Sequence, residues 1–157
     1  MDKRDKEYKL QFELIPDSCW YSNLRSILTP EQWNTVRFDA YRRAEGKCTV
    51  CGRSVARLEA HERWSYDENT NTQILRDVVA LCHACHSVVH IGRTQLMGGE
   101  EKARQWFMKV NGCTYADYRA ALGEANEIHR RRNLVPEWKL DLSWLQKRYP
   151  DTFKIFF

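Results

Sequence analysis

No apolar run in this chain approaches the roughly 20 residues needed to cross a bilayer as a helix, so no membrane-spanning segment is expected. The amino terminus, Met1-Asp2-Lys3-Arg4-Asp5-Lys6-Glu7, also lacks the apolar stretch of a secretion signal and carries both signs of charge. Repeats and low-complexity tracts are missing, which removes solenoid arrays from consideration. Nor is there a strong excess of one charge. The net value of +4 comes from basic residues interleaved with acids, and it permits nucleic-acid binding without arguing for it.

What is present is enough for a core. The 157 residues include six Trp, six Phe and seven Tyr, sufficient bulk for one modest domain with terminal elaborations. Six cysteines would suit a secreted disulfide framework, but Cys48-x-x-Cys51 and Cys82-x-x-Cys85 without a secretion signal favour metal in a reducing cytosol. A cytoplasmic location is therefore expected. Cys19 and Cys113 are left over and are expected to serve as small buried hydrophobes.

Patterning divides the chain into four segments: an arm over 1–28, a helix over 29–46, a cysteine- and histidine-rich core over 47–93, and a helical extension over 94–157. Tyr8, Leu10, Phe12 and Leu14 alternate with polar residues, which predicts a short strand ending before Pro16. Thr29-Pro30-Glu31-Gln32 is a helix start, with Thr29 as N-cap and Gly46 as the stop. Leu58, Ala60, Trp64 and Tyr66 share one face of a predicted strand, with Glu59, His61, Arg63 and Ser65 on the other. Asp67-Glu68-Asn69-Thr70-Asn71 is turn chemistry, and Ile74 to Leu81 supplies the return strand. A helix is predicted from Cys82 to about Ile91, closed by Gly92. Two more follow, from Glu100 to Val110 and from the Thr114 cap to Arg132; the second is expected to bury Tyr115, Tyr118, Ala121, Leu122, Ala125 and Ile128. Leu140, Leu142, Trp144 and Leu145 dock a final segment.

Four thiolates are what a structural zinc needs, and a glycine after Cys51 allows the tight turn that aims two sulfurs at one ion. His86 and His90 lie one helical turn apart and can share a second ion, with His61 the best third donor. A redox dithiol would need only one of the two cysteine pairs.

The order of these parts resembles the HNH endonuclease family, whose ββα-metal motif is a hairpin and a helix around one divalent ion. The residues that carry the resemblance are Cys48-Thr49-Val50-Cys51-Gly52, Leu58-Glu59-Ala60-His61-Glu62 and Ala80-Leu81-Cys82-His83-Ala84-Cys85-His86-Ser87-Val88-Val89-His90. It covers roughly residues 45 to 92 and implies an α+β protein with a zinc-stapled ββα-metal core flanked by helices. It also implies a metal-dependent endonuclease, encoded by a bacterium or phage and acting inside the cell, that hydrolyses phosphodiester bonds in nucleic acid, with DNA the expected substrate.

On that pattern His61, His86 and His90 bind the catalytic divalent ion, Glu62 takes the general-base position, and Asp77 stands where the family commonly has the residue that orients the base. Glu62 departs from the usual imidazole. Burial would bring its pKa closer to neutrality. Alternatively His61 is the base, with Glu62 or the helix histidines on the metal. In a regular strand His61 and Glu62 face opposite ways, so one ion reaches both only across a bulge. Asp77 is equally readable as a strand-end acid, His83 as a knuckle surface residue or a rival to His86, and His129 as a surface residue. The catalytic ion is left as Mg, Mn, Ni or Zn. Arg37, Arg42, Arg43, Arg53, Arg57, Arg63, Arg76, Arg93 and Arg130 to Arg132 offer phosphate contacts. The rival expectation is an HNH-shaped zinc module that binds nucleic acid or a protein without cutting.

Overall fold

The computed structural model describes residues 7–154. It is α+β: helices α1 (Leu24–Ile27), α2 (Pro30–Ala44), α3 (His83–Val89), α4 (Ile91–Leu96), α5 (Glu100–Asn111), α6 (Tyr115–Arg132) and α7 (Ser143–Arg148) surround a three-stranded sheet. Strands β1 (Glu59–Asp67) and β2 (Thr72–Leu81) form an antiparallel hairpin, and the short β3 (Lys139–Asp141) adds parallel to β2. Among the described residues no helix is long and apolar enough to cross a membrane.

The hairpin turn is built by Asp67, whose carboxylate accepts the N–H groups of Asn69 and Thr70, while Asn71 adopts the left-handed conformation that closes it. Helices α2 and α6 both start with full capping boxes, Thr29 with Gln32 and Thr114 with Asp117. Helix α2 ends on Glu45 in the left-handed region, with Gly46 following at positive φ.

The hairpin separates two apolar clusters. On one side Leu10, Val79, Leu81, Val88, Ile91 and Phe107 join the cysteine knuckles. On the other, Leu24, Val36, Ala40, Leu75 and Val78 pack with Leu142, Leu145 and Phe153. His61 pairs with Val79 and Glu62 with Val78, so neighbouring residues of β1 look into different cores. Under the second core Asp39 is nearly buried and accepts Arg42 Nη2 at 2.5 Å, Arg43 Nε at 3.1 Å and Tyr149 Oη at 2.7 Å. The arm, the helical extension and the core thus share cores rather than standing as separate lobes.

Three expectations need correction. Tyr8 to Leu14 is irregular, with a bend at Lys9 and Leu10, and joins no strand. Its apolar side chains lie on helices: Phe12 stacks on Phe107 at 4.7 Å, and the Asn111 side chain bonds both Leu10 N and Leu10 O. These partners satisfy the backbone singly, where a neighbouring strand would have done so as a ladder. The helix predicted through Ile91 breaks at His90 (φ −95°, ψ 51°), so Gly92 lies within α4 and is not a stop. Finally, of the stripe on α6 only Tyr118 is fully buried, and Tyr115 is 49 % exposed.

Candidate metal centres

Cys48 and Cys51 sit on a knuckle that is tied to the sheet. Cys48 N donates to Arg53 O, Gly52 N to Cys48 O, and Thr49 N to Ala80 O at 2.9 Å. Gly52 takes a φ of 75°, which a side chain would strain. Cys82 leaves the end of β2 as the N-cap of α3 and Cys85 lies one turn on; the Cys85 N–H donates to Cys82 Sγ at 3.4 Å. The four sulfurs lie within 4.8 Å of one another. Cys51 Sγ and Cys82 Sγ are 3.8 Å apart. A tetrahedron with metal–sulfur bonds of about 2.3 Å has an edge of about 3.8 Å, so the donor set fits a structural tetrathiolate ion.

Electrostatics support the same reading. The hydrogen bond from Cys85 and nearby backbone N–H groups draw the Cys48 thiol down to about 4. The bond to Cys48 and then burial push Cys85 up, and burial chiefly raises Cys51. So many buried sulfurs cannot all ionise against one another unless a bound cation supplies the counter-charge. The Trp106 indole N–H donates to Cys85 Sγ at 3.2 Å from outside the cluster.

The second centre uses the same hairpin and helix. Ring nitrogens of His61 on β1 and of His86 and His90 on and beside α3 lie within 4.8 Å of one another. Their centroids are 5.3 Å (His61–His86), 5.1 Å (His61–His90) and 4.8 Å (His86–His90) apart. His61 is 3 % exposed. Burial, then the neighbouring imidazoles, takes His90 down to about 3, and burial lowers His86 against the pull of Glu59. Both rings are therefore neutral at physiological pH, the form that binds metal.

Two carboxylates hold these rings. Glu59 Oε1 is 2.7 Å from His86 Nδ1 and its other oxygen 2.9 Å from the exposed His83 Nδ1. Burial raises the Glu59 carboxyl, but these two histidines outweigh it and leave it lowered. Glu13, from the amino-terminal arm, contacts His61 Nε2, and its own N–H donates to Val89 O at 2.9 Å. Carboxylate on one imidazole nitrogen and metal on the other is a recurrent outer-shell arrangement. Alternation along β1 puts Glu59 on the face of His61, so that residue was within reach of sequence reasoning. Glu13 lies 48 positions from its partner and carried no signal.

Glu62 and Asp77 do not join this cluster. Glu62 turns to the opposite face, where it accepts Leu24 N–H at the start of α1. Desolvation raises its carboxyl despite that bond. The hairpin does carry a register shift, but at Arg63/Trp64, where β2 skips Arg76; that is past Glu62 and cannot bring it round. Asp77 accepts the Val78 N–H at 2.8 Å and lies 3.7 Å from Arg43 Nη1. His83 is a surface residue with a Glu59 contact, and His129 lies against Ile15 O and Asp17. Cys19 is buried and Cys113 half-buried. Compared with models of known families, with curated proteins and with solved structures, the chain matches none.

Proposed function

We propose that the chain is a metal-dependent endonuclease of HNH type that hydrolyses phosphodiester bonds in DNA, by nicking or cleavage, on a zinc-stapled ββα core. The observation that carries this reading is the convergence of His61, His86 and His90 from a hairpin and the helix after it, beside a four-cysteine cluster pinning the same elements. An inert tetrathiolate fixes the frame, and the three imidazoles hold a divalent ion, three protein ligands being the number with which a catalytic metal keeps a fourth position for water or substrate.

Such an ion, when bound, polarises a phosphodiester oxygen and stabilises charge on the leaving 3′ oxygen. The residues do the rest. Glu59 fixes the ring of His86, and Glu13 does so for His61. The base role expected of Glu62 passes in this reading to the imidazole side of the sheet, where Glu13 reaches His61. An expected nuclease assay on plasmid and single-stranded DNA, with Mg, Mn, Ni or Zn supplied, gives cleavage that chelator abolishes. His61→Ala and His90→Ala lose it, while Glu62→Gln keeps it. Intact substrate with every metal would overturn the proposal.

A second reading is favoured by one observation: Glu62 and Asp77 are both engaged away from the imidazoles. It is a module of the same shape that binds without cutting. Metal analysis separates the two, since a non-cutting module would retain the tetrathiolate ion alone.

A further inference from the structure

A cleft of about 650 Å³ lies between α1, α2 and the start of β1, with His86 of α3 in its lining. Its cationic lining is Arg25 on α1, Arg37 on α2 and Arg57 in the loop before β1. None of the three forms an ion pair with another described residue. By contrast, Arg42, Arg43 and Arg131, on the same or other helices, are taken up by Asp39, Asp77 and Glu68. The acid in the cleft is Glu59, already engaged by His83 and His86. Arg37 is pre-set by Asn34, which accepts its Nε at 2.8 Å, and by the ring of Phe38 at 4.4 Å.

Aromatic residues complete the lining. Tyr41 is one, and Trp33 is another, whose buried indole N–H finds no acceptor among the described residues. Guanidinium groups held in no direct ion pair beside aromatic faces are the chemistry of single-stranded nucleic-acid grooves, where cations follow the backbone and rings take the bases. Arg25 also lies near enough to Glu62 to draw its carboxyl, raised by burial, partly back down. Placement matters as much as composition. The same lining includes His86, one of the three imidazoles of the second centre.

We infer that this cleft seats one strand of nucleic acid through its phosphodiester backbone, with Arg25, Arg37 and Arg57 on phosphates and Trp33 and Tyr41 against bases. The inference rests on the nuclease reading for what happens to that strand, but the binding is independent of cutting. Backbone contacts of this kind carry no sequence information, so the cleft grips any sequence.

Salt dependence tests it. Three phosphate contacts to a single strand give a slope of log K against log[salt] of about −2, and each loses about 0.7 with its arginine. Fluorescence anisotropy with labelled single-stranded DNA and RNA of equal sequence, using the full chain carrying His90→Ala so that substrate stays intact, measures it. Arg25→Ala and Arg57→Ala are each expected to flatten the slope by about 0.7 and to weaken binding alike across sequences. Arg57→Lys is expected to restore the slope, which a merely misfolded Arg57→Ala would not predict. Loss in both polymers supports a backbone seat, and loss in one names the polymer. An unchanged slope in the folded Arg25→Ala/Arg57→Ala protein overturns the inference even if wild type cuts DNA. Arginine-dependent binding without any wild-type cleavage sustains the cleft and sinks the nuclease.

Discussion

Removing an ion held by the four cysteines is expected to cost as much stability as deleting a large core side chain. An ion held there would bridge Cys51 and Cys82, which are 31 positions apart, and so would close the whole hairpin into a loop. The chain-entropy relation for a cross-link of that span gives about 3.7 kcal/mol at 25 °C. That value is a floor, because the metal–sulfur bonds themselves add to it. For a chain of this size each kcal/mol is worth about 2–4 °C in Tm, so the floor corresponds to a drop of roughly 7–15 °C. The assay is calorimetry on the protein as purified, after a chelator, and after zinc is restored, with thiol titration and metal counting alongside. Zinc should return the Tm and mask four thiols. Cys82→Ser should reproduce the drop without chelator, and His90→Ala, which leaves all four cysteines in place, should keep the chelator-dependent unmasking of four thiols. Chelated and zinc-loaded protein melting together, with all thiols titratable in both, would refute the assignment.

Other changes probe single contacts. Glu59→Gln keeps the shape but removes the charge beside His86, and is expected to weaken ion binding at the histidine centre by about 10–100-fold, read by competition with a chromophoric chelator. Phe107→Ala removes a fully buried ring stacked on Phe12 and is expected to cost about 3–5 kcal/mol in denaturant unfolding. Burial raises the Asp39 carboxyl, but bonds from Tyr149, Arg42 and Arg43 outweigh it and hold it below the ordinary range. Its contribution is then present above the unfolded carboxyl value of about 3.9 and fades as pH falls through the lower folded one. Asp39→Asn should lower stability at neutral pH by about 2 kcal/mol and show a shallower loss on acidification.

How much of this was legible follows from how local each signal is. The cysteine pairs, the alternating hairpin and the capped starts of α2 and α6 are written within a few residues, and all appear where the patterns put them. So does the opposition of His61 and Glu62, a direct result of the strand period. The amino-terminal segment misled because alternation reports only that every second residue is buried, against a sheet or, as here, against α5. The break at His90 has no punctuating residue before it, since Val88-Val89-His90-Ile91 reads as continuous helix. Strand β3 has three residues, too few for a period to emerge. Glu13 is positioned by Val89 and Asn111 through the surrounding chain, information that no window of sequence contains.

That dependence fixes an order of assembly. The hairpin, the cysteine cluster and α3 draw on a stretch of about forty residues and form from short loops, at low entropic cost. The arm that brings Glu13 to His61 needs Asn111, 101 positions away from Leu10, before it has anything to hold. During synthesis the arm must therefore wait for α5 to emerge. The frame of the histidine centre, with Glu59, exists early, and Glu13 joins it only afterwards.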